Sequence, residues 1–186
     1  LELGLDGFSR KVAERRSRLN LADWGDLQRE QFLKGVALVF DALSDYILRF
    51  ALLADEMAAV EPRAWRAGEL KSIAKNCRQI ALHAPQSFWQ ALQLSYFVQL
   101  VLQIESNGHS VSFGRMDQFL YPWYQKDVAS GTLAREQAIE LLQSCWLKLL
   151  EVSKIRSGSH SKSSAGSPLY QNVTIGGQIL VDGVAQ

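Results

Sequence analysis

From Asp26 to about Val60 the sequence keeps a helical period without one proline. Phe32, Val36, Val39, Phe40, Leu43, Tyr46, Ile47, Phe50 and Leu53 recur at three- and four-residue steps, the pattern of an amphipathic helix. A helix over 27–59 would be about 50 Å long at ~1.5 Å per residue. That exceeds the diameter of a small domain, so the pattern predicts a helix lying along a larger body.

The flanking segments read the same way. Gly4 and Gly7 punctuate a weakly patterned start that leads into a short helix over 8–19. Pro62 restarts the chain into a helix ending near Leu82, and Pro85 closes the connection that follows. Ser87 then offers an N-cap, with Gln90 three residues on to complete a capping box. The next helix, 88–104, is apolar on nearly every face, interrupted by Gln93, Gln99 and Gln103. Such a helix is expected inside a large core, and it is too short to span a bilayer. Helices are also predicted over 117–128, broken locally at Pro122, and from a Thr132 cap to about Lys154 with Leu141, Leu142, Cys145, Trp146, Leu149 and Val152 inward. The stretch 157–168 reads as a polar loop. Alternation over 170–175 and 178–181 around Gly176-Gly177 predicts a β-hairpin.

Charge and cysteine usage exclude several functions. The formal net charge is +1, so no polyanionic partner is indicated. The run Arg10, Lys11, Arg15, Arg16 and Arg18 reads as a solvated helix face, not a nucleic-acid surface. Cys77 and Cys145 are isolated within helical patterns and read as core packing, not as a disulfide or zinc pair. His83, His109 and His160 do not have metal-ligand spacing. No signal peptide opens the chain, and a cytoplasmic, non-membrane protein is expected. Leu1 and Gln186 both read as cut ends, so an internal fragment is expected.

Two segments carry chemical signal. Residues 105–118 crowd His109, the hydroxyls of Ser106, Ser110 and Ser112, the Asn107 carboxamide, Arg115, Glu105 and Asp117 behind a helix expected to be buried. Buried polar groups need hydrogen-bond partners, so this stretch is either a polar network or a ligand pocket. Taken alone, His109 is as well explained by a satisfied core histidine, and Arg115 and Asp117 by a structural pair. The second segment holds Gln171 and Asn172 ahead of Gly176-Gly177. Its glycine spacing matches neither a dinucleotide fingerprint nor a phosphate loop.

The run ESNGHSVSFGRMDQFLYPWY at 105–124 resembles the internal signature of glycyl radical enzymes of the pyruvate formate-lyase type. The run SGSHSKSSAGSPLYQNVTIGGQ at 157–178 resembles a second signature of that family, and the Pro85–Leu102 stretch resembles the helix preceding the first. The resemblance implies an α/β fold, predominantly helical in this chain. Residues 1–186 would form a partial pyruvate formate-lyase domain contributing helical shell and the first strands of a ten-stranded α/β barrel. It implies radical cleavage of a C–C, C–O or C–N bond in a small substrate. A glycyl radical would be installed by a radical S-adenosylmethionine activating enzyme, with no cofactor bound directly and a homodimer as the full-length assembly.

The thiyl cysteine and radical glycine of the family have no matching context here, and both would lie beyond Gln186. By position, the resemblance makes His109 and Ser110 substrate-binding residues for a diol such as glycerol. Asn107, Arg115, Asp117, Gln171 and Asn172 become supporting residues. Two rival readings are a true formate acetyltransferase using pyruvate and coenzyme A, and a non-catalytic remnant or structural subunit.

Overall fold

The computed structural model describes residues 1–106, 111–152, 157–163, 172–177, 180–181 and 184–185. The chain divides into two compact units, Leu1–Phe97 and Val98–Gln186.

The first unit is built on the long helix that the sequence predicts. Helix α1 spans Gly4–Ser17, α2 Trp24–Val60, α3 Ala64–Leu82 and α4 Phe88–Glu105, the last crossing the unit boundary. The 37 residues of α2 reach about 55 Å at ~1.5 Å per residue. Asp23 caps it by accepting from the Asp26 N–H at 2.9 Å. Pro62, in the connection 61–63, turns the chain back, and α3 packs antiparallel on α2 as a helical hairpin. The Ser44 hydroxyl near one end of that contact donates to the Ala81 carbonyl. Arg78, one turn back along α3, pairs with Asp55 of α2.

The seam on α2 is Leu43, Ile47, Ala51, Ala54 and Ala58, all buried, at steps of four, four, three and four. The alanines let α3 approach closely. Leu70, Ala74, Asn76, Cys77, Ile80 and Ala81 are the buried positions of α3. Tyr46 and Phe50 form an aromatic group with Phe97, whose ring centroid lies 5.3 Å from that of Phe50 and 6.2 Å from that of Tyr46. Such tilted and edge contacts add to simple area burial. Three positions of the predicted stripe do not go inward: Phe32 is 70% exposed, and Val39 and Leu53 are also exposed.

The start of α1 differs from the prediction. It begins at Gly4, which adopts φ +62°, and Gly7 lies inside it. A side chain at Gly4 would collide with the backbone of His83 and Ala84. That close approach, not chain punctuation, is the reason for glycine. Arg16 of α1 grips Glu30 of α2 with its Nε 3.0 Å from each carboxylate oxygen, which holds the Glu30 carboxyl below its ordinary range.

Ser87 caps α4 as expected, its hydroxyl accepting from the Gln90 N–H at 3.3 Å. The Gln90 side chain reaches one residue further back than a capping box, accepting from the Gln86 N–H at 2.8 Å. It also donates to Asn76 on α3 at 3.1 Å.

In the second unit, α5 spans Met116–Ala129 and α6 Arg135–Glu151. Pro122 sits within α5 without ending it. Thr132 closes α5 instead of opening α6: its N–H and hydroxyl both donate to the Asp127 carbonyl. The N-cap of α6 is Ala134, whose N–H donates to the Gln137 side chain at 2.9 Å. Cys145 is buried on α6, whereas Trp146 is exposed. The stretch read as a polar loop contains a short helix, α7, over Gly158–Ser163.

The expected α/β architecture is not found. The described residues are almost entirely helical and form no part of an α/β barrel. The strands are β1 (Leu180–Val181) and β2 (Val184–Ala185), paired antiparallel with Leu180 opposite Ala185. Among the described residues, 172–177 form no strand and Leu180–Val181 pairs with Val184–Ala185, so the expected hairpin about Gly176-Gly177 is not seen there, although both glycines do adopt positive φ. The Gly176 N–H and carbonyl are engaged by side chains of α5 and the residue before it, so they are not available for a hairpin ladder. Thr174 makes an isolated parallel bridge to Arg115. Period-two alternation records which residues could share a sheet face, but a strand needs a partner edge, and here helix termini supply the contacts. No helix among the described residues is long and apolar enough to cross a membrane.

Candidate functional site

The second unit brings the two signature segments together. Near the end of α4, Gln99 and Gln103 lie one turn apart on the same face. They are only 3% and 4% exposed. Both carboxamides donate to one acceptor, the carbonyl of Val111, at 2.9 and 2.8 Å. A carbonyl oxygen has two lone pairs, and here two buried side chains converge on it. The outer positions of this turn, Leu102 and Ile104, are exposed. Polar side chains thus point inward and apolar ones outward, because the glutamines serve the loop.

From Gly114 on, the same loop meets the second signature. The Thr174 N–H donates to the Gly114 carbonyl at 3.3 Å, an acceptor shared with the Met116 N–H at 3.0 Å. The Arg115 guanidinium donates to the Gly176 carbonyl at 2.7 Å. The Gly176 N–H donates to the Asp117 carboxylate at 2.6 Å. Arg115 and Asp117 therefore hold one glycine by its two sides. Gly114, at φ +69°, makes the bend into α5. Gly177, at φ +92°, leaves the space that the guanidinium occupies: a Cβ there would lie 2.6 Å from its Nη2.

Of the residues that the sequence singles out, Arg115 and Asp117 are thus assembled with the second segment. Asn172 is exposed at the start of the described part of that segment. Asn107, His109, Ser110 and Gln171 lie outside the described residues. His160 is on α7, where its N–H meets the Ser157 hydroxyl at 3.4 Å. Sequence reasoning passed over Gln99 and Gln103 as site residues. Their signal was available: two carboxamides at i and i+4 on an otherwise apolar helix need buried partners.

The cysteines show no activation. Burial pushes the thiols of Cys77 and Cys145 up to about 11, and the Gln93 amide donates to the Cys77 sulfur at 3.1 Å. The thiolate is the reactive form, so both should be alkylated slowly by iodoacetamide at pH 8 in the folded chain and rapidly in denaturant. Fast modification of either in the folded chain would contradict inert packing. Among the described residues no group of three or more His, Cys, Asp or Glu side chains could hold a metal ion.

The fold and the paired signatures define a class. The chain belongs to the pyruvate formate lyase-like family of glycyl radical enzymes, whose family model matches residues 1–183. It is 68% identical over 184 residues to the protein named probable dehydratase YbiW of Escherichia coli K12, covering 98% of this chain and 23% of that protein. The structure describing 1,2-propanediol dehydration in Roseburia inulinivorans superposes with a TM-score of 0.93 at 39% identity, over 100% of this chain and 22% of that one. The glycerol-bound B12-independent glycerol dehydratase of Clostridium butyricum superposes with a TM-score of 0.90 at 34% identity, over 100% and 23%. The chain thus spans less than a quarter of the length of these relatives.

Proposed function

We propose that this chain is the part of a glycyl radical dehydratase that shapes the hydroxyl-binding side of the substrate pocket, with a small 1,2-diol as substrate. The observation that carries this reading is the similarity, along the whole chain, to the glycerol-bound dehydratase and to the 1,2-propanediol structure. His109 and Ser110 are the residues proposed to meet the diol. An imidazole and a hydroxyl each donate and accept, which suits adjacent hydroxyl groups. Their anchorage supports the assignment: the residue after Ser110 has its carbonyl fixed by Gln99 and Gln103.

In the full-length polypeptide the hydrogen-abstracting chemistry would come from a radical carried on a cysteine and a glycine outside the motifs of this chain. An S-adenosylmethionine-dependent activating enzyme would install it. The contribution of the residues here would be orientation, holding the substrate hydroxyls while water leaves.

The test is anaerobic activation of the full-length polypeptide followed by incubation with glycerol or 1,2-propanediol. Formation of the corresponding aldehyde, with an organic radical signal in electron spin resonance, is expected. Inertness toward diols together with formate release from pyruvate and coenzyme A would replace this reading by acetyl transfer.

A further inference from the structure

We propose that Arg115 and Asp117 are positioning residues: together they clamp Gly176 by its two flanking peptide groups and so set the register between the loop that follows His109 and Ser110 and the segment 172–177. The proposal rests on the diol-binding reading only for its effect on turnover. The clamp itself stands on geometry.

Among the described residues, side-chain and backbone bonds both cross between the two segments, which are about sixty residues apart in sequence. The Arg115 guanidinium takes the carbonyl of Gly176 and the Asp117 carboxylate takes its N–H. The backbone of Thr174 bonds Gly114 and pairs with Arg115. The arginine seat requires a residue without Cβ at 177. Arg115 and Asp117 sit on either side of Met116, which is buried as the first residue of α5. The clamp is thereby fixed to a helix end, while the Val111 carbonyl is fixed to α4 by the glutamines. The stretch 111–117 is held at both ends, and one of those holds belongs to the second signature.

Exposure decides what the clamp does. Arg115, Asp117 and Gly176 are all exposed. Exposed charge contacts contribute little to global stability, whereas two directional bonds on one residue, one to each of its flanking peptide groups, define its position and orientation. The clamp is therefore a device for register, with a small share in stability.

The experiment uses the full-length polypeptide with Arg115→Ala, Asp117→Ala, Asp117→Asn and Gly177→Ala. Backbone hydrogen exchange, followed by mass spectrometry, reads peptides covering 111–117 and 172–177. The melting temperature and, per activated molecule, kcat and KM for 1,2-propanediol are measured alongside. Arg115→Ala, Asp117→Ala and Gly177→Ala should each raise exchange in both peptides about tenfold, the scale of one charge-assisted bond; the melting temperature should change little for the first two and fall for Gly177→Ala, because alanine at φ +92° is itself strained. Asp117→Asn keeps an acceptor oxygen and should stay near the parent. KM should rise about tenfold with kcat less affected. Arg115→Ala combined with Gly177→Ala should do no more than either alone.

Unchanged exchange in either peptide would overturn the clamp. Raised exchange with unchanged KM, in a protein where His109→Ala or Ser110→Ala does lower kcat/KM, would overturn the positioning role. If those two substitutions have no effect, the diol-binding reading fails, and the clamp is judged by exchange alone.

Discussion

Replacing His109 or Ser110 by alanine in the full-length polypeptide is expected to lower kcat/KM for a 1,2-diol by about 5- to 150-fold. Truncation leaves a substrate hydroxyl buried without its partner, at about 1–3 kcal/mol, and ~1.4 kcal/mol corresponds to one factor of ten. The loss should be expressed against measured radical content, because a variant that activates poorly would otherwise imitate one that binds poorly. Double replacement should be less than additive, since both groups would serve the same pair of hydroxyls. The competing view makes the two residues props for the loop. It predicts a lower folded yield with unchanged kcat/KM per radical, and that result would remove them from the pocket.

The second large effect concerns stability. Gly4→Ala should destabilise the chain by about 2–5 kcal/mol, the sum of a left-handed conformation for alanine at ~1–2 kcal/mol and overpacking at ~1–3 kcal/mol. The added Cβ would lie 2.4 Å from the Ala84 nitrogen and 2.6 Å from both the Ala84 Cα and the His83 carbonyl carbon. All three are backbone atoms, so no rotamer change relieves the overlap. Gly35→Ala in α2 and Gly68→Ala in α3 are the controls. Neither has a positive φ, and nothing lies within 4 Å of the added atom. Each should stabilise by about 0.4–1 kcal/mol through the unfolded chain. Urea midpoints of the three variants provide the measurement. A Gly4→Ala chain as stable as the parent would mean that the start of α1 does not pack against residues 83–84.

What was legible in the sequence follows the range of the interactions involved. The span of α2, the end of α3 at Leu82 and the Ser87 cap of α4 depend on neighbours within a few residues, and local patterning finds them. The stripe on α2 was legible only in part. Periodicity says that residues share a face, not that the face has a partner. Leu43 and Ile47 go inward while Phe32, Val39 and Leu53 stay outside. The β-hairpin failed for a related reason. Gly176-Gly177 does take the positive φ that glycine allows, but Gly176 is claimed by Arg115 and Asp117 from 61 and 59 residues away. No local rule sees that competition. Gln99 and Gln103 are an intermediate case: their need for partners could be inferred from an apolar helix, whereas the identity of the partner, the Val111 carbonyl across a loop, could not.

The exposed residues of α2 have a consequence for protein engineering. Trp24, Phe32, Val39, Leu53, Met57 and Val60 are all exposed, and at ~100° per residue they fall in one band beside the Leu43–Ala58 seam, while Leu38 and Leu52, also exposed, lie on a further side of the helix. The two stripes are thus separately addressable. Recoding the outer one with glutamate, lysine and glutamine would change how the 186-residue chain behaves at high concentration without touching the side chains that hold α2 to α3. The seam of such a variant would remain that of the natural chain, since none of the six recoded positions belongs to it.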